Sequence, residues 1–89
     1  MVTTMTVAEK RALRDQKLKD LYELNEKNAG REVNIKYTDL NENEDNKKEH
    51  LAFEYLLEKG LIAYKIRGRN LYTAKITAYG IDYVESNLI

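Results

Sequence analysis

Cysteine is absent from the 89 residues, which excludes a disulfide scaffold, a thiol nucleophile and a cysteine-ligated metal. Histidine and serine occur once each, as His50 and Ser86, and the four glycines stand apart from one another. A serine–histidine–carboxylate arrangement would have to use Ser86 in the C-terminal tail, with no glycines around it to form a nucleophile elbow. No GxGxxG or Walker A stretch exists. The chain is therefore not expected to be an enzyme, and no cofactor is expected. No apolar run approaches the roughly 20 residues that span a bilayer. The opening MVTTMTVAEKRALR lacks the apolar block of a signal peptide. The expectation is a cytoplasmic protein with no membrane partner. An excess of one charge is also missing, since 15 Lys and Arg balance 15 Asp and Glu.

What is present reads as one small globular domain over residues 1–89: 43% of residues are hydrophobic and 34% charged. The balanced charge is unevenly distributed. From Gly60 onward there are four cations (Lys65, Arg67, Arg69 and Lys75) against Asp82 and Glu85, whereas residues 31–59 carry five basic and eight acidic residues. Residues 1–5 show no periodicity and are expected to fray. Thr6-Val7-Ala8-Glu9 fits a capping box that starts a helix running to about Asn28. The first half of that helix is mostly charged, and residues 1–13 are expected to form an extension beyond the domain. The second half places Leu18, Leu21 and Tyr22 on one face. Ala8, Ala12 and Leu13, with Leu88 and Ile89, motivate a homodimer through the extension, as against a solvated overhang held by Glu–Lys pairs. Val33 and Ile35 suggest a short strand pairing with a later hairpin, while Asn34 is placed to cap a short helix from Ile35 to Leu40.

The chain is organised around residues 46–85. Ala52, Phe53, Leu56 and Leu57 recur at helical spacing, and Gly60 follows where a left-handed residue stops a helix. Asn43 or Asp45 is expected to cap that helix. LIAYKI and LYTAKI then read as two strands around a turn at Arg67-Gly68-Arg69-Asn70, with Gly68 permitting the tight turn. A short closing helix starts at Thr77. The expected core is Leu18, Leu21, Tyr22, Ile35, Leu40, Ala52, Phe53, Leu56, Leu61, Ile62, Ile76, Ile81 and Val84.

FEYLLEKGLI, a basic hairpin and then ITAYGIDYVE, in that order, resemble the core of a prokaryotic winged-helix DNA-binding domain of the MarR-like and PadR-like kind. In those regulators a recognition helix, a glycine, an apolar pair and a wing precede a Thr-x-x-Gly-x-x-aromatic helix start, matched here by Thr77, Gly80 and Tyr83. The likeness covers the chain from Leu18 onward, with Leu18 to Asn28 as the first helix. It implies a winged helix-turn-helix, mainly α with a small antiparallel hairpin or three-stranded sheet, and sequence-specific binding of double-stranded DNA as a homodimer that regulates transcription or serves a mobile element. Asn46, Lys47, His50 and Leu51, flanked by Lys48 and Glu54, are then expected in the major groove. Arg67 and Arg69, supported by Lys65, Asn70 and Lys75, are expected at the minor groove or its phosphates. Arg31 and Lys36 are expected on the flanking backbone. Glu49 departs from the pattern, because the family has an apolar core residue there.

Blander readings stand beside these. Four cations in a hairpin also serve to keep a sheet edge soluble, and Glu49, Glu54 and Glu58 would repel phosphate if they faced it. The alternatives are a protein-interaction module, docking a partner on the acidic middle or the long first helix, and single-stranded nucleic-acid binding by Tyr64 and Tyr72. For those two tyrosines core packing is the favoured role. Asp39, Asn41, Asn43 and Asp45 match the early positions of a calcium loop, but Glu44 stands where the loop needs glycine and His50 where it needs a bidentate glutamate. A turn and a cap are expected there, and no metal.

Overall fold

Thr6 starts the first helix in the computed structural model, which describes residues 5–89, so the expected fraying of residues 1–5 falls, apart from Met5, outside the described residues. Helix α1 (Val7–Lys27) opens on the capping box: the Glu9 amide donates to Thr6 Oγ1 at 3.1 Å and the Thr6 amide donates to Glu9 Oε1 at 3.0 Å. The hydrogen bond from the Thr6 backbone holds the Glu9 carboxyl below its usual range. At the other end Ala29 and Gly30 both take positive φ, 59° and 80°, and reverse the chain into strand β1 (Val33–Lys36). Residues 7–12 are exposed, and Leu13, Arg14 and Asp15 are half-buried where α1 begins to meet the rest of the fold.

The short helix from Ile35 to Leu40 does not form. Val33 and Ile35 are β-branched and alternate with exposed Asn34 and Lys36, and β1 finds an antiparallel partner in which Val33 faces Ala74 and Lys36 faces Leu71. The Tyr37 amide extends that pairing to Asn70 O at 2.8 Å. Asp39 Oδ1 then accepts from the Asn41 and Glu42 amides at 2.9 and 3.2 Å, closing a turn. The segment read against a calcium loop is thus a turn followed by a cap. One helix, α2 (Glu44–Glu58), lies between β1 and the hairpin, so the two consecutive helices of a helix-turn-helix do not occur at that place.

Asn43 caps α2 by accepting from the Asn46 amide, and Gly60, at φ 76°, carries the chain out of it. The hairpin follows as β2 (Ile62–Gly68) and β3 (Leu71–Ile76), with Arg69 and Asn70 between them. The left-handed residue of this turn is Asn70 (φ 57°) rather than Gly68, which sits beside an irregularity in the register between Ile66 and Gly68. Asn is among the few residues that tolerate that conformation. The sheet order is β1-β3-β2, all antiparallel, giving a mixed α/β architecture of three helices on a three-stranded sheet.

Helix α3 (Ala78–Asn87) closes the fold and shows what Thr77 and Gly80 are for. Thr77 Oγ1 accepts from the Gly80 amide at 3.1 Å and donates to Gly60 O at 2.8 Å, tying the start of α3 to the end of α2. A Cβ on Gly80 would collide with the Leu61 carbonyl and lie 2.7 Å from Ile76 Cγ1. The core unites Leu18 and Leu21 with Phe53, Leu56, Leu61, Ile62, Ile76 and Val84, and Tyr22, Ile35, Leu40 and Ile81 pack partly buried around it. It also includes Tyr64, for which packing was the favoured role, and Tyr37 and Ala74, which the sequence did not single out as core. Among the described residues no helix is long and apolar enough to cross a membrane.

Candidate nucleic-acid interface

The start of α2 is where the resemblance places base-reading side chains, and most of them are engaged within the protein. Asn46 braces the turn before its own helix: its amide meets Thr38 Oγ1 at 2.6 Å, and with its oxygen turned inward it accepts from the Thr38 and Asp39 amides at 2.9 and 3.1 Å. Lys47 Nζ bonds Glu44 at 3.2 Å on the same helix. Lys48 is half-buried, while Leu51 is 65% exposed. Glu49, the departure from the family pattern, pairs with Lys17 at 2.9 Å and fastens α2 to α1. Glu44, Asp45, Glu49, Glu54 and Glu58 outnumber the two lysines, so α2 presents no net attraction to phosphate.

His50 turns toward the sheet. Its Nδ1 lies 2.8 Å from the Tyr64 hydroxyl, which lies 2.6 Å from the Tyr37 hydroxyl, and its Nε2 faces Glu54 Oε1 at 3.6 Å. With Nε2–H directed at the carboxylate, Nδ1 accepts from Tyr64 and the Tyr64 oxygen accepts from Tyr37, so no buried hydroxyl is left unpaired. Burial is the main cause that pushes the Tyr37 hydroxyl up to about 12, and burial followed by the bond to Tyr37 pushes Tyr64 higher still. Tyr64 stacks on Tyr72 at 4.8 Å and on Phe53 at 5.2 Å. Tyr64 thus has its ring between Phe53 and Tyr72, and Tyr72 has one face against Tyr64, so the stacking surface left for an unpaired base is small.

The cations gather on the other face of the sheet. The strand registers align Asn34, Thr73 and Lys65 in one row, Lys36 with Leu71 in the next, and Ala63 with Lys75 in a third. Side chains in register share a face, and rows repeat about every 7 Å. Arg67 belongs to this surface as well. It reaches from β2 across β3, donating from Nε to Thr73 Oγ1 at 3.1 Å, and on to the Glu32 carboxylate next to β1 at 3.0 and 3.3 Å. That contact, chiefly the hydrogen bond from Arg67, holds the Glu32 carboxyl below its usual range. It also leaves Thr73 only 8% exposed on an otherwise open face.

The structure thus brings Lys65, Arg67 and Lys75 together with Lys36 and separates them from Asn46, Lys47, Lys48, His50 and Leu51. Arg69 and Asn70 form the hairpin tip, beside Ile66 at 67% exposure. Among the described residues no carboxylate lies within ion-pair distance of Lys36, Lys65, Arg69 or Lys75. The sequence reading missed Glu32 and Thr73 as parts of this surface. The alternation in residues 32–36 carried the signal, since Glu32, Asn34 and Lys36 are the outward set of a strand. No group of three or more His, Asp or Glu side chains among the described residues is arranged to hold a metal ion. Set against family models, curated proteins and solved structures, the chain matches none of them.

Proposed function

We propose that the protein binds double-stranded DNA through the open face of its sheet and the tip of its hairpin, in a winged-helix-like domain that has a single helix where the pattern has two. The observation that carries this reading is the shared face of Lys36, Lys65, Arg67 and Lys75, where Glu32 is the one carboxylate among the outward residues of the three strands and their flanks. Cations spaced along a ribbon suit a phosphate backbone, and a two-stranded ribbon fits a major groove. Arg69 and Asn70 carry the side-chain chemistry that pairs with guanine and adenine edges, so sequence is read at the tip. In this reading α2 supports the sheet and does not enter the groove, because Asn46 and His50 have partners inside the protein. The resemblance extends the role to transcription regulation or to a mobile element.

A salt titration against a random duplex and its single strand tests the proposal. Duplex affinity should fall steeply with salt, and Lys65→Ala with Lys75→Ala should lower the slope by about 2, near 0.9 per lost phosphate contact. Absence of duplex binding at low salt rejects the reading. Tighter binding of the single strand moves it to a different substrate.

A further inference from the structure

The helices hold a second concave surface, built from residues that the sheet face does not use. Between α1, α2 and α3 lies a cleft of about 460 Å³, within the size range of small binding sites, roughly 300–1,000 Å³. Its floor is Leu18, Leu56 and Leu61, all core residues, and its walls are the rings of Tyr55, Tyr79 and Tyr83. Tyr79 is 69% exposed, a large apolar ring facing water without a partner.

Three cations line the same cleft: Arg11 and Arg14 from α1, and Lys59 from the end of α2. Among the described residues no carboxylate lies within ion-pair distance of any of them. Arg14 instead lies over the Tyr55 ring, 3.8 Å from its centroid, with Lys59 at 5.8 Å. Asp15 is the one acidic residue in the lining. The site therefore combines an aliphatic floor, tyrosine walls and a cationic rim whose charge is not answered by the protein itself.

We propose that this cleft docks an acidic peptide segment of a partner protein. An aliphatic or aromatic side chain of the peptide enters over the leucine floor between Tyr79 and Tyr83, and neighbouring Asp or Glu carboxylates meet Arg11, Arg14 and Lys59. Tyr and Arg are the residue types that dominate binding energy at such contacts. A peptide suits the cleft better than a nucleic-acid strand for three reasons. The aliphatic floor offers a phosphate nothing. The Tyr55 face is already covered by a guanidinium. Asp15 repels phosphate but accepts a peptide N–H. No residue of this cleft belongs to the sheet face, so the inference stands or falls separately from DNA binding.

The test is fluorescence anisotropy on the full chain, using a labelled peptide of glutamates around a leucine and a phenylalanine. The same peptide with lysines for glutamates and a labelled single-stranded oligonucleotide serve as comparisons. The acidic peptide should bind saturably and the lysine peptide should not. Tyr79→Ala and Arg11→Glu, both at exposed positions, should each weaken the acidic peptide about tenfold. Lys65→Ala with Lys75→Ala should leave it unchanged. No binding of the acidic peptide, or binding that the two cleft variants leave untouched, overturns the proposal. So does oligonucleotide binding that Tyr79→Ala abolishes.

Discussion

Tyr64 shows how one residue is claimed by packing and polarity together. Its ring is 6% exposed between Phe53 and Tyr72, and its hydroxyl joins His50 to Tyr37. Tyr64→Phe keeps the ring and leaves a half-buried histidine nitrogen and the buried Tyr37 hydroxyl without a partner, so at neutral pH it should cost about 1–3 kcal/mol in urea unfolding. Both tyrosines hold their protons more tightly in the folded protein than the usual value near 10. Their contribution is therefore fully present below about pH 10 and is lost as pH rises toward 12, where Tyr37 ionises. The urea midpoint should drop between pH 8 and pH 11, and the gap between the native chain and Tyr64→Phe should narrow over that range. A gap that stays constant would show that the Tyr64 hydroxyl is not the group whose ionisation unfolds the protein. Gly80 is the complementary case, a residue chosen for what it lacks. Because a Cβ there meets backbone of Leu61, Gly80→Ala should cost about 3 kcal/mol, against a slight gain for the same change on an exposed helix face. An unchanged midpoint would mean that α3 shifts freely on the sheet.

Arg67 adds a side-chain strap to the backbone pairing of β1 with the hairpin, reaching from β2 to Thr73 on β3 and Glu32 just before β1. Glu32 is part of that strap and also the one carboxylate among the outward residues of the strands and their flanks, so it opposes the function proposed for the sheet. Glu32→Gln keeps a hydrogen-bond acceptor for Arg67 and removes the charge. It should raise duplex affinity several-fold at low salt and steepen the salt slope by about 1. An unaltered affinity would place the DNA contact elsewhere. Helix α1 depends on its first turn in the same local way. Thr6→Ala removes one half of the capping box and should cost about 1 kcal/mol. The effect should appear as a lower thermal midpoint with no change in peptide or DNA affinity.

The whole molecule carries two surfaces of different chemistry, a basic sheet face and a cleft among the helices. The exposed start of α1 presents Ala8 and Ala12, with Leu13 half-buried beside them and Ile89 72% exposed at the other end of the chain. Pairing of two copies along Ala8 and Ala12 would give the two-fold symmetry that a two-fold operator requires. Sedimentation at tens of micromolar should show a dimer, and Ala12→Glu should return it to monomer. Monomer throughout would remove the dimer and leave α1 as a solvated overhang.

The sequence by itself determined the local elements. Thr6 and Glu9 marked where α1 begins, and the spacing of Ala52, Phe53 and Leu56 with Gly60 marked α2 and its end. The turn at residues 67–70 and the start of α3 at Thr77 were legible in the same way. These signals are short-range: a cap, a periodicity or a turn needs only neighbours in the chain. At Ile35 and Lys36 local signals pointed both to a strand and to a helix, and pairing with Tyr72 and Leu71 of β3 decided for the strand. The inward turn of His50 and Asn46, the burial of Tyr37, and the gathering of Lys36 with Lys65, Arg67 and Lys75 likewise needed the tertiary structure. A side chain's partner is set by which face its element buries and by strand register, and both are fixed only when distant segments pack together.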